Sequence, residues 1–327
     1  MRATTLLDRR ELVDVVRPVH PIASVYLGPD QGVPWSTRWP ALVDRLRRAG
    51  ASQATITDVE IAVPDAPDHA VAVFADGGHV PAVFSTPGRT GPDVAWFRAP
   101  AHVLPLVAYA QERPAHVLVI AGPDRARLRI VPGGLDADAV GVRMSCPTSD
   151  LAEACRTALA QSGARLLVVH GDLDTADRLR ADLPGEATVR RVPGSRPVDV
   201  GDILRSTAWL WTARSLTDLA KPPHGGSVQG VARTIAALAR GHVRELVVSP
   251  LERNAAAWFG GAPSQILPAE ETTPTPWSRR RGDAVDVAVR AALLAGATVR
   301  VVGHRTPGAP AEGIGALCRF PLALVGA

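Results

Sequence analysis

A chain of 327 residues with 46% hydrophobic and 21% charged residues has the make-up of an ordinary soluble globular protein, which excludes a disordered or fibrous one. Its formal net charge of +4 rests on 36 basic residues, and Lys221 is the only lysine among them. The cationic surface is therefore arginine, whose planar fork suits phosphate, and at roughly 100–150 residues per compact unit the chain has room for three domains.

The N-terminal "MRATTLLDRRELVDVVR" is too charged for the apolar core of a signal peptide, and no stretch approaches the ~20 apolar residues that cross a bilayer. A cytoplasmic protein with no membrane partner is expected. Cys146, Cys155 and Cys318 form no Cys-x-x-Cys pair, so they read as small core residues, neither a disulfide framework nor a zinc site. No metal and no cofactor is expected.

In chain order, "DRRELVDVV" predicts a helix and "IASVYL" (22–27) a strand. A Gly/Pro loop follows, then the helix "TRWPALVDRLRRAG" stopping at Gly50, and a hairpin in "HAVAVFADGGHVPAVFS" around its Asp-Gly-Gly turn. "AHVLVIAGPDRARLRIVPGG" reads as two strands turning at Gly122–Asp124. "CPTSDLAEACRTALAQSGARLLVVHGD" is a capped helix, a glycine stop and a buried strand, followed by helix "TADRLRADL" and strand "ATVRRV". Residues 199–220 carry Ile203, Leu204, Trp211 and Leu216 near helical spacing and form a connecting helix.

"KPPHGGS" (221–227) is the linker. In "VQGVARTIAALARGHVRELVVS", Val228, Val231, Ile235 and Leu238 are expected on one helical face, with a stop at Gly241 and a strand at Leu246–Val248. "LPAEETTPTPWSRRRG" reads as a Pro/Thr-rich excursion, and "DAVDVAVRAALLAGATVRVVGHR" as a second helix, glycine and strand. The fold class is mixed α/β in three consecutive domains, 1–112, 113–221 and 222–327. Basic and acidic residues number 10 against 12, 15 against 13 and 11 against 7 in these thirds, so the positive end is C-terminal.

Catalytic motifs are mostly missing. Gly313-Ile-Gly315 is followed by Ala, Leu and Cys318, with no room for the helix and strand of a dinucleotide fold. The sole lysine precedes Pro222, which excludes a Walker motif, and no Gly-x-Ser-x-Gly elbow occurs. "HGGS" (224–227) resembles an oxyanion-hole loop in composition but has no partnering nucleophile and reads as linker. His170, Asp172 and Asp174 stand together where a strand ends; they suit either a metal or, the preferred reading, a helix N-cap with a solvated loop. Arg279, Arg280 and Arg281 form either a solvated loop or a phosphate-contacting patch. Arg125, Arg127 and Arg129 alternate along one strand and so share a face.

The closing "AALLAGATVRVVGHRTPGAPAEGIGALCRF" resembles the C-terminal domain of archaeo-eukaryotic peptide-chain release factors and Pelota. In that family a Gly-Ile-Gly-x-Leu-x-Arg-aromatic segment ends the domain, and Gly313, Ile314, Gly315, Leu317, Arg319 and Phe320 fit it. "IASVYLGPDQG" looks like the family's first strand and loop, and the stretch ending "GPDRARLRIV" like the junction into its middle domain. The likeness is greatest to the bacterial branch, with its Balon-like ribosome hibernation factors and mycobacterial dormancy-associated proteins.

What the resemblance implies is a three-domain ribosome-binding factor. The Gly-Gly-Gln loop with which release factors hydrolyse peptidyl-tRNA is missing: each Gly-Gly pair precedes His79, Leu135, Ser227 or Ala262. The loop before helix "DLAEACRTAL" is only a few residues long, and the Asn-Ile-Lys-Ser codon-reading motif is absent too. The resemblance therefore implies a non-enzymatic factor in the ribosomal A site, RNA-bound and not DNA-bound, with Gly28–Trp35 and Arg38, Arg45, Arg47 and Arg48 near the decoding region. Its C-terminal domain would contact elongation factor Tu or another translational GTPase. A ribosome-rescue factor and a metal-dependent hydrolase built on His170, Asp172 and Asp174 are the alternatives.

Overall fold

The computed structural model describes residues 9–29, 33–63, 69–79, 82–86, 92–134, 142–192, 200–222, 226–250, 255–271 and 275–320. It is mixed α/β and divides into two compact units, one of residues 1–108 with 212–327 and one of residues 109–211. The first and last thirds of the chain thus contribute to the same unit.

That unit opens with α1 (Arg9–Val16) and β1 (Ile22–Leu27), whose six residues are all buried. Helix α2 (Trp35–Arg48) presents Trp35, Trp39, Leu42, Val43 and Leu46 to the sheet, and packing on that face holds the helix through Pro40. It stops where Gly50 adopts a φ of 90° that a side chain would resist. A third helix, α3 (Gln53–Ala62), was not expected from "QATITDVEIA", whose β-branched residues favour strands. The Ser52 hydroxyl accepts the Thr55 amide at 3.1 Å, and Ile56 and Val59 join the core, which together outweigh propensity. Strands β2 (Ala70–Ala75), β3 (Ala82–Thr86) and β4 (Val94–Arg98) complete an antiparallel sheet of order β3-β2-β1-β4.

Helix α4 (Leu104–Gln111) leads out of the first unit. The second is built on β5 (His116–Ala121), β6 (Arg125–Val131), β7 (Val142–Pro147), β8 (Leu166–His170) and β9 (Thr188–Val192), in the order β7-β6-β5-β8-β9. Strands β5 to β7 pair antiparallel; β8 runs parallel to both β5 and β9. Between β7 and β8 lies α5 (Leu151–Ser162), and between β8 and β9 lies α6 (Leu173–Asp182). Both helices cover one face through Leu151, Cys155, Ala158, Ala176 and Leu179. On the other, Ile203 and Leu204 of α7 (Val200–Ala220) meet Leu166, Val168 and Val192.

The remaining elements belong to the first unit. They are β10 (Ser227–Gln229), α8 (Val231–Ala239), β11 (Val243–Val248), β12 (Ala256–Phe259), β13 (Ile266–Pro268), β14 (Arg280–Asp283), α9 (Ala284–Leu294), β15 (Thr298–Val301) and β16 (Ile314–Cys318). Two sheets result, β10-β16-β11-β15 and β13-β12-β14. Two expectations need correction. Val228 lies in β10 and not on the helix, because Gly230, at φ 87°, turns the chain between them. The Pro/Thr-rich excursion, to which no strand was assigned, supplies β13 and β14 from its two ends, both pairing with β12. Local patterning does not register a strand whose partner is remote in sequence.

Helix α9 ties the first unit together. Its Asp286, 3% exposed, receives Arg98 Nη2 at 2.6 Å and His102 Nδ1 at 2.8 Å. His102 is itself held, because its amide donates to Ser24 Oγ at 3.0 Å and its carbonyl accepts the Tyr26 hydroxyl at 2.7 Å. One turn along, Arg290 is 1% exposed and donates to the carbonyls of Val16, Arg17 and Gly261 at 2.9–3.0 Å. The Val16 and Arg17 carbonyls accept at the C-terminal end of α1, where carbonyls otherwise lack partners and the helix dipole is negative. Burial holds the Arg290 guanidinium down to about 10, so it stays charged at neutral pH. Close by, Gly282 leaves no room for a side chain, since a Cβ there would meet the Ala99 carbonyl oxygen at 2.6 Å.

Arg290→Ala is expected to destabilise the first unit by about 3–5 kcal/mol, because three carbonyls and a cavity are left behind. Arg290→Lys should recover only part of this, as an ammonium cannot fork. Urea denaturation of the full chain followed by tryptophan fluorescence measures both.

Candidate nucleic-acid interface

The arginines of β6 are placed by strand alternation. Ala126, Leu128 and Ile130 enter the core beneath α5, so Arg125, Arg127 and Arg129 stand on the opposite face. Arg125 and Arg127 are exposed and Arg129 is partly so. Register then adds a residue that the sequence reading missed, since Arg129 lies directly across from Arg143 of β7. The signal was the alternation in "VRMSC", weak because the run is short. Arg127 lies between Ser145 of β7 and Ile120 of β5, and Arg125 Nη2 donates to Ser145 Oγ at 3.3 Å.

On α2 the four candidate arginines differ. Arg38 is spent on internal structure: Nη1 pairs with Asp93 Oδ2 at 2.5 Å and Nη2 donates to the Gly28 carbonyl at 3.2 Å. Asp93 Oδ1 in turn accepts the Gly28 amide at 2.8 Å, so this group fixes the loop that follows β1. Arg45, Arg47 and Arg48 are exposed, and their hydrogen bonds go to the Asp93 carbonyl, the Gln53 side chain and the Asp44 carbonyl. Within the Gly28–Trp35 loop, residues 30–32 lie outside the described residues, as does the start of the "HGGS" segment.

The run Arg279–Arg281 is exposed and partly a strand. Arg281 lies across from Trp258, and the Arg279 guanidinium carbon sits 4.9 Å from that ring's centroid, a cation–π contact. The indole Nε1 donates to the Ala269 carbonyl at 3.2 Å, which fixes the ring. Sequence reading had no means of pairing Trp258 with this run.

Asp172 is the N-cap of α6, its Oδ1 accepting the Thr175 amide at 2.7 Å. The bonds from the Thr175 side chain and backbone hold its carboxyl below the usual range. Asp174 is exposed in the first turn, His170 closes β8, and no group of three or more metal-ligating side chains occurs among the described residues.

The Gly313–Phe320 segment is mainly interior. β16 lies between β10 and β11, with Ile314 and Ala316 at 0% exposure and Leu317 at 2%. Gly315 passes so close that a Cβ would meet the Val228 carbonyl oxygen at 3.0 Å and Pro310 Cβ at 3.1 Å. Gly313 has a φ of 73° and its carbonyl accepts the Ser249 amide at 2.8 Å. Arg319 and Phe320 are exposed. Glu312, at φ 54°, reaches the start of α8 and accepts the Val231 amide at 2.8 Å. A carboxylate at a helix N-terminus offsets the cost, about 1–2 kcal/mol, of left-handed backbone in a residue with a side chain.

No protein-family model matches the chain, and no curated protein does. Among solved structures, a ribosome-bound archaeal Pelota is similar over 99% of this chain and 96% of its own, at 13% identity and a TM-score of 0.42. The Pelota of Archaeoglobus fulgidus aligns over 100% and 95%, at 12% identity and a TM-score of 0.31. An archaeal translation termination factor aligns over 96% and 99%, at 16% identity and a TM-score of 0.26.

Gly315→Val is expected to lower stability by about 1–3 kcal/mol through overpacking between β16 and β10. Arg319→Ala, at an exposed site, should change it by less than about 0.5 kcal/mol. Thermal unfolding of the two variants beside the parent protein separates the interior from the exposed part of the segment.

Proposed function

We propose that this chain is a non-catalytic ribosome-binding factor of the release-factor and Pelota type, and that it occupies the A site of idle ribosomes in stress or dormancy. The observation that carries the proposal is in the second unit. Its β7 passes through a single 3-10 turn, Thr148–Asp150, straight into α5, leaving no loop where the resemblance would put a catalytic Gly-Gly-Gln. The same unit turns a face of arginines outward. An RNA-facing surface without a hydrolytic tip supports binding without termination.

The sequence resemblance in Gly313–Phe320 supports the family, and with it a division into domains at 1–112, 113–221 and 222–327. On this reading the bacterial partner is elongation factor Tu or a related GTPase, engaged by the C-terminal domain, and the protein is cytoplasmic. No helix among the described residues is long and apolar enough to cross a membrane. Arg45, Arg47 and Arg48 are the α2 arginines best placed to meet the decoding region, because Arg38 is held by Asp93.

Sucrose-gradient co-sedimentation with vacant 70S ribosomes, across a salt series and with or without elongation factor Tu·GDP, is the test. Co-migration that weakens as salt rises and is lost when an A-site ligand is added is expected. No association at low salt with ribosomes or subunits overturns the proposal, and binding that requires both mRNA and peptidyl-tRNA assigns the protein to rescue instead of hibernation.

A further inference from the structure

The β5–β6–β7 face of the second unit has a composition that narrows its ligand. Its three strands, "HVLVIA", "RARLRIV" and "VRMSCP", contain no acidic residue, no asparagine, no glutamine and no Phe, Tyr or Trp. Arg125, Arg127, Arg129 and Arg143 share one side of it, and none has a carboxylate partner among the described residues. Other arginines of this protein show the contrast: Arg156 is braced by Glu153 and Glu186, and Arg300 by Glu245 at 3.1 Å. His116, buried next to Arg129, adds no charge at neutral pH. Burial pushes its imidazole below the usual range and the Arg129 charge pushes it further, against the bond to the Pro114 carbonyl.

Spacing is the second constraint. Residues two apart on a strand are separated by roughly 6.6–6.8 Å, so Arg125, Arg127 and Arg129 form a line of about 13–14 Å, with Arg143 about 5 Å to the side of Arg129. Four like charges so arranged repel one another until an anion with repeated charge lies along them. A single small anion meets one or two of these groups; a polymer backbone meets the whole row. Arginine forks bind phosphate oxygens in pairs, and these three strands carry none of the amide, carboxylate or aromatic side chains that read bases.

We infer that this face binds the phosphate backbone of an RNA strand independently of sequence, with Arg125, Arg127 and Arg129 on successive phosphates and Arg143 flanking them. Ile120, 47% exposed beside Arg127, bounds the row on the side covered by α7. The inference deepens the function proposed above and takes from it the class of partner, RNA.

The test is fluorescence anisotropy of the full-length protein with labelled 12-nucleotide RNAs of two unrelated sequences and a DNA strand matching one of them, over a salt series. Both RNAs and the DNA should bind within about threefold of one another, as phosphate contacts predict. Arg127→Gln with Arg143→Gln, two exposed positions, should weaken all three equally and make the slope of log K against log salt shallower by about 0.7 per arginine removed. Arg156→Gln should leave both unchanged, and circular dichroism shows whether each variant is folded.

No binding of any strand by the parent protein overturns the inference, as does an unaltered slope in a folded double variant, or a strong preference for one sequence or for RNA over DNA. Co-sedimentation separates this from the ribosome reading. A parent protein that binds 12-mers but not ribosomes upholds the inference alone. A folded double variant that still co-migrates with ribosomes and keeps the parent slope upholds the ribosome reading alone.

Discussion

A buried carboxylate sets the terms for the first unit. Asp286 on α9 is taken out of water, and an ionised group so placed costs several kcal/mol unless charge and hydrogen bonds come to it. Arg98 at the end of β4 and His102 just beyond supply both, and Ser24 and Tyr26 of β1 hold His102 in place. A helix from the last third of the chain is thereby locked to the sheet of the first third. Arg290, one turn further, repeats the arrangement with opposite sign, its charge met by three carbonyls and the ring of Phe259 at 5.3 Å. Asp283, which caps α9, pays for this crowding: burial first and the Asp286 charge second push its carboxyl above the usual range.

Such buried partners separate two populations of arginine. Arg38, Arg98, Arg290 and Arg300 have their guanidinium groups committed to carboxylates or carbonyls, and they act as fasteners. Arg125, Arg127 and Arg143 have no carboxylate partner among the described residues, and they stand exposed on a sheet whose other face packs against α5 and α6. A net charge of +4 conceals this division. The chemistry available to a partner is that of the second population.

The glycines of the closing segment serve packing. Gly315 lets β16 run against β10 and Pro310, and Gly313 takes a backbone conformation in which its carbonyl meets Ser249. Glu312, beside them, completes the N-terminus of α8 from 81 residues away. The segment is therefore a hub of the last sheet, with only Arg319 and Phe320 turned outward.

Elements whose cause is local were legible in the sequence. The periodicity and glycine stops of α2, α5 and α9, the alternation in β6, the Asp-Gly-Gly turn of the first hairpin and the Asp172 cap all follow from residues within a few positions of one another. So does the absence of a Gly-Gly-Gln loop, which needs only reading. Helix α3 was hidden because its propensity opposes its packing, and β13 and β14 because a strand is defined by a partner that sequence does not indicate. Tertiary structure alone decided that Arg38 is a fastener, that Arg143 joins the β6 row, that Arg279 lies over Trp258, and that Asp286 draws the chain's first and last thirds into one unit. The physical reason is the same in each case: a charge is neutralised, aligned or left bare by groups brought to it from far along the chain, and the one-dimensional order of residues does not contain that distance.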